Sequence, residues 1–182
     1  LNFGVELMPS FDITLFHRVY YKVLELFAYG KIKKLIVTVP PQHGKSQGST
    51  RFLPAFMHGL NPNLKIAIGS YSATLASSFN RDVQKLIDCP TYDILFPDTK
   101  INSKRVVTMD SYLRNSSEYE IINNKGNLKS VGRGGGLTGH EVDVMIMDDL
   151  YKDFMEANSP VIRQSAWEWY ITVVKTRLHN DS

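Results

Sequence analysis

Lys45 lies between Gly44 and Ser46, directly after a run of apolar, largely β-branched residues (Leu35 to Val39) and at the start of a stretch with helical patterning. A glycine at that place lets the main chain approach an anion closely, and N–H groups at a helix start bind phosphate oxygens. The ammonium of Lys45 then supplies a point charge to the β- and γ-phosphates of a nucleotide, and the Ser46 hydroxyl is a ligand for Mg²⁺. The full phosphate-loop pattern asks for a glycine five positions before Gly44, where this chain has Val39. A bare Gly-Lys-Ser is also a common helix start, so the reading rests on the strand before it and the helix after it. The stretch assigned to the nucleotide is Pro41-Gln42-His43-Gly44-Lys45-Ser46 with Gln47.

A phosphate loop needs an acidic partner at the end of another buried strand. Val142 to Met147 reads as such a strand and runs into Asp148-Asp149. Asp148 stands where a metal-holding carboxylate belongs, and Asp149 where many nucleotide hydrolases place the residue that activates the attacking water. Two adjacent carboxylates repel unless a cation or hydrogen-bond donors lie close by, which favours a Mg²⁺ site over a plain acidic turn.

The elements that must carry these residues follow from periodicity. Asp12 to Tyr29 has apolar positions at helical spacing and ends at Gly30. Lys33 to Pro40 reads as a buried parallel strand. Gly44 to about Met57 reads as a helix in which Pro54 predicts a kink or an early stop. Leu64 to Ser70 is a second strand, followed by a helix capped by Ser72 or Thr74 and running to about Asp88. Arg105 to Met109 is a third strand. Tyr119 to Ile122 and Leu128 to Val131 flank a turn-forming Asn123 to Asn127 and predict a hairpin. A glycine-rich loop, Gly132 to Gly136, precedes the acidic strand. Ser159-Pro160 opens a last helix that runs through Trp167 to about Leu178. Strands alternating with helices predict an α/β fold with a central, mainly parallel sheet flanked by helices and a β-hairpin insertion.

Bulk properties bound the alternatives. The chain has 182 residues, 43% hydrophobic and 21% charged, the balance of one globular domain of ordinary size. A net charge of +3 permits contact with nucleic acid without arguing for it. Cys89 is the only cysteine, so neither an internal disulfide nor a cysteine metal cluster can form. The longest apolar runs are too short to span a bilayer, and the start carries no signal-peptide pattern. An opening at Leu1 rather than Met reads as a piece of a longer protein.

Taken in order, these stretches resemble the ATPase domain of large terminase subunits, the motors that package DNA into tailed-phage heads. The resemblance is carried by Leu15-Phe16-His17-Arg18, by Pro40 to Ser46, by Gly69 to Ala76 with Phe79 to Val83, by Gly134 to Gly139 running into Met145 to Asp149, and by Trp169-Tyr170 with Thr176 to Leu178. It covers nearly the whole chain, and the stretch from Gly134 to Asp149 is far more specific than a phosphate loop. It departs from the family at Gln42-His43, where many members carry an arginine, and at Asp149, where glutamate is frequent.

The resemblance implies an additional-strand, RecA-like P-loop NTPase fold and hydrolysis of ATP with Mg²⁺ to move double-stranded DNA into a procapsid. It implies work in the cytoplasm of a bacterial host, as a ring of subunits on the portal protein, with the small terminase subunit as a further partner and no membrane. The stop at Ser182 reads as a single ATPase domain (1–182) lacking the nuclease domain. On this resemblance Phe16 and His17 border the adenine. Arg81, Arg133 and Arg177 are candidates for the arginine that stabilises transition-state charge. Arg133 is preferred because its glycine-rich loop presents it to a neighbouring subunit's ATP. Trp167, Trp169 and Tyr170 read as packing residues rather than a base-stacking platform. Two rival readings remain: another nucleic-acid motor of helicase type, and a nucleotide-binding assembly module with little turnover of its own.

Overall fold

The computed structural model of the chain describes residues 14–102, 112–137 and 139–178. The strand expected at Arg105–Met109, Thr138 of the glycine-rich motif, and the first residues of the opening helix lie outside them.

The centre of the fold is β1 (Lys65–Ser70), whose residues from Ile66 onward are all buried. Such a strand must be covered on both faces, and its alternation provides for this. Ile66 and Ile68 face a large core shared with Tyr20, Tyr21, Leu24, Phe52, Phe79, Val83 and Ile146. Ala67 faces a smaller one with Val131, Leu137, Val142, Trp169 and Val174. Four strands form one mixed sheet in the order β2-β3-β1-β4. β3 (Asn127–Gly132) and β4 (Val144–Met147) run parallel to β1 on either side, and β2 (Glu118–Glu120) pairs antiparallel with β3 through Tyr119 and Leu128. The expected hairpin and the acidic strand are both present.

Helices flank the sheet. α1 (Leu15–Ala28) closes in a Schellman turn: Gly30 takes φ 68°, its N–H reaches Phe27 O and the Lys31 N–H reaches Leu26 O. A further helix begins as α2 (Lys45–Gln47), widens into a π-helical turn (Gly48–Phe52) and continues as α3 (Leu53–Leu60). Pro54 therefore does not stop the helix. The π register falls just ahead of the proline, where its missing N–H would leave a gap in the ordinary ladder. α4 (Ala73–Ile87) is capped by Ser72, whose Oγ accepts the Leu75 N–H, and it lays Ala76, Phe79, Val83 and Ile87 on the sheet. Three short helices complete the set: α5 (Pro90–Leu95), α6 (Phe154–Asn158) and α7 (Pro160–Trp169). None of the described helices is long and apolar enough to cross a membrane.

Two expectations need correction. Residues 33–40 belong to no strand. Leu35 and Val37 pack on the large core, while Ile36 between them is 93% exposed, so only one face of the segment is covered. Burial on both faces, which a central parallel strand requires, is missing. The last helix also ends early. It passes into a π-helical turn at Tyr170–Val174, and Leu178 instead forms a parallel bridge with Val142. A bridge there closes the smaller core beneath Val142.

One polar contact joins distant parts of this frame. His58 on α3 is fully buried; its Nε2–H donates to Leu64 O at 3.1 Å, and its Nδ1, 2.9 Å away, accepts from the Tyr119 hydroxyl. Burial pushes the imidazole down from 6.5 to about 4, only partly offset by its backbone hydrogen bonds. The unfolded chain then holds a proton more readily than the native one between about pH 4 and 6.5. Stability contributed here is complete above that window and is lost as pH falls through it. Urea titrations at pH 7 and pH 5 should show the unsubstituted chain losing about 2 kcal/mol more than a His58→Gln variant. Equal losses in the two proteins would refute the buried, neutral state.

Candidate functional site

Lys45 and the Asp148-Asp149 pair, more than a hundred positions apart in sequence, meet at one end of the sheet. Lys45 is the first residue of α2 and follows Gly44, which takes φ 72°. This left-handed turn swings the chain from the preceding segment into the helix and is open to glycine with little strain. Gln42 also adopts a positive φ, 63°, so the loop Pro41 to Gly44 turns tightly. The Lys45 ammonium lies 2.8 Å from Asp148 Oδ1 and 2.7 Å from Asp149 Oδ1. Burial alone would lower its pKa, but the hydrogen bonds and charges of the two carboxylates outweigh that and hold it above its ordinary value. The lysine is therefore a permanent cation.

The carboxylates differ. Asp148 follows β4, is 3% exposed, and hydrogen-bonds through its main-chain N–H to Gly69 O. Its Oδ2 is buried and has no hydrogen-bond partner among the described residues. A buried, unsatisfied carboxylate oxygen costs free energy unless something absent from the bare chain binds there, and a divalent cation or a water bound to one meets that need. Asp149 is exposed and stands at φ 46°, a region that non-glycine residues rarely occupy. Its carbonyl accepts the Tyr71 N–H at 3.0 Å, tying it to the end of β1.

The loop is buttressed by a residue that sequence patterning did not single out for the site. The Tyr20 hydroxyl donates to Lys45 O at 2.7 Å, and its ring stacks with Phe16 and Tyr21. Helical spacing marks Tyr20 only as one of the apolar positions between Asp12 and Tyr29; its partner lies 25 positions away, beyond the reach of local periodicity. Gly48 makes the approach possible. A Cβ there would sit 2.6 Å from Tyr20 Cε1 and 2.8 Å from Tyr21 Cε1.

The remaining expected residues are distributed around this core. His43 Nδ1–H donates to Pro41 O at 2.8 Å, and the His43 ring meets Phe16 edge-on, 6.1 Å between centroids. The His17 ring lies edge-on to Phe16, 5.2 Å between centroids, with its Nδ1 accepting from the main-chain N–H and the hydroxyl of Thr14 at the start of α1. Phe16 is thus beside the loop, while the Nδ1 of His17 serves the helix start. The main-chain carbonyl of Ser46 accepts the Thr50 hydroxyl at 2.6 Å. Arg133 does not extend outward. Its guanidinium donates to Leu150 O at 2.6 Å and pairs with Glu156 at 3.1 Å, so reaching a neighbouring subunit would require leaving both. Trp169 is buried with Nε1–H donating to Gly135 O, in keeping with a packing role, whereas Trp167 is over half exposed and stacks on Tyr170.

Residues 36–180 match the family described as terminase large subunit, T4likevirus-type, N-terminal. No curated protein matches the chain.

Gly48→Ala should lower stability by about 1–3 kcal/mol, because the added methyl must displace two ring edges in a packed core. Denaturant unfolding checks this; an unchanged midpoint would mean that α1 does not press on the loop helix as described.

Proposed function

The chain belongs to the large terminase subunit family, matched over its T4likevirus-type N-terminal part, and from that premise we propose that it binds ATP with Mg²⁺ and hydrolyses it to drive DNA packaging. The observation that carries this reading is the junction of Lys45 with Asp148 and Asp149, together with the buried Asp148 Oδ2 that lacks a partner.

Each residue then has a role set by its position. The main chain of Pro41 to Ser46, with Gln47, wraps the phosphates, and Gly44 allows the close approach. Lys45 turns from the carboxylates to the β- and γ-phosphates. Ser46 and Asp148 hold Mg²⁺, which supplies neutralisation of phosphate charge when bound. Asp149 orients a water molecule and takes one of its protons as the water oxygen bonds to the γ-phosphorus. The bond from that phosphorus to the bridging oxygen breaks, and ADP leaves with the electron pair. Phe16, edge-on to His43, borders the adenine together with His17. Catalysis of this kind is mostly positioning and charge stabilisation.

The reading extends to the fold and to partners. We assign the chain to the P-loop NTPases, with residues 33–40 as the segment that leads into the phosphate loop. Double-stranded DNA, the portal protein, the small terminase subunit and further copies in a ring are the partners, and the host cytoplasm is the setting. A second reading, a nucleotide-binding module with little turnover alone, is favoured by one observation: Lys45 is engaged by both carboxylates and must be released from them before it meets a phosphate.

Calorimetry with Mg²⁺ and ATP tests the site. The unsubstituted chain should bind, and Lys45→Ala should weaken binding at least tenfold and abolish turnover. Hydrolysis unchanged in Lys45→Ala would sink the assignment; binding without turnover in the unsubstituted chain would select the second reading.

A further inference from the structure

Asp149 stands in the left-handed region with a main-chain hydrogen bond at its own carbonyl and another at the carbonyl of the next residue, whose donor is Arg133. A non-glycine residue at φ 46° is strained by about 1 kcal/mol and persists where its surroundings over-determine it. On the near side, the Tyr71 N–H holds the carbonyl of Asp149 itself. On the far side, Arg133 Nη1 donates to the carbonyl of Leu150, the next residue, at 2.6 Å. The same nitrogen lies 3.1 Å from Glu156 Oε2, and the guanidinium carbon stands 5.7 Å from the centre of the Tyr151 ring. Glu156 Oε2 in turn accepts the Lys152 N–H at 3.1 Å. One cation thereby fixes the turn from Leu150 to Glu156. Arg133 is itself anchored, since its main-chain N–H donates to Ser70 O at 2.7 Å, at the end of the central strand. Its side chain is only 17% exposed.

We infer that Arg133 is a positioning residue acting within its own subunit, setting the aim of Asp149 through the turn that follows it. The inference rests on the proposed role of Asp149. It differs from the arginine-finger expectation in a way that experiment can separate, because a finger serves a neighbour's site and a positioning residue serves its own.

Steady-state ATP turnover with Mg²⁺ is compared for the unsubstituted chain, Arg133→Ala, Arg133→Lys, Glu156→Gln and Lys45→Ala. Arg133→Ala should lower kcat about tenfold or more with KM within about twofold, since the water is misaimed while the phosphate grip is intact. Arg133→Lys should recover part of the loss, because one N–H still reaches Leu150 O, and Glu156→Gln should fall between. An equal mixture of Arg133→Ala and Lys45→Ala chains should show no recovery. Recovery on mixing would mean that Arg133 serves a neighbouring site and would overturn the inference, as would a normal kcat in Arg133→Ala. Turnover persisting in Lys45→Ala would instead count against the proposed function. A readout independent of turnover is hydrogen exchange: main-chain amides from Asp149 to Lys152 should exchange about tenfold faster in Arg133→Ala and in Arg133→Lys by less. Unchanged exchange in both would also overturn it.

Discussion

Two adjacent carboxylates, one of them buried, stand at the end of a sheet, and their mutual repulsion must be met by a cation. Lys45 is that cation. Its ion pairs join the first turn of one helix to the end of β4, across 104 positions of sequence from Lys45 to Asp149. The pairs cost desolvation at Asp148 and leave one of its oxygens unmatched, so the arrangement is poorly suited to stability alone. The rest of the architecture serves to keep the three residues together. β1 lies beside β4 and receives the Asp148 N–H at Gly69 O, α1 holds the Lys45 carbonyl through Tyr20, and the turn after Asp149 is drawn in by Arg133.

The parts legible in sequence were those governed by local rules. Gly44 announced a tight turn before a helix, and it is left-handed. The run Val142 to Met147 announced a buried strand ending in acid; β4 lies there within two residues, but only Ile146 of its four residues is buried. Ser72, Gly30 and Ser159-Pro160 marked helix ends because capping is a matter of one or two residues. What stayed hidden was lateral. Residues 33–40 have the composition of a strand, but composition says nothing about which neighbour supplies hydrogen bonds, and the segment joins no strand among the described residues. Tyr20 looked like one more apolar helix position because its hydroxyl partner is remote. Arg133 looked like a surface finger because its partners, Leu150 and Glu156, follow only after another strand.

Several backbone irregularities lie beside the ionised groups of the site. Gln42, Gly44 and Asp149 all have positive φ, and the π-helical turn at Gly48–Phe52 begins three residues beyond Lys45. Strain of this kind is tolerated where many contacts hold it in place. Here the contacts are the aromatic stack of Phe16, Tyr20 and Tyr21 on one side and the hydrogen bonds from β1 on the other. The site is thus rigid in its frame and adjustable in its side chains, since Lys45 has a long flexible stem.

Gly69 has a consequence of a different kind. It lies in the central strand, where a Cβ would come within 2.7 Å of Met145 Cε and 3.2 Å of Trp169 Cη2. The indole is held in place by its hydrogen bond to Gly135 O and cannot retreat without giving that up. Positions 69, 145 and 169 therefore share one volume. A side chain gained at 69 must swing the flexible end of Met145 aside and press on the indole, so the room at this point of the central strand is set by those two side chains.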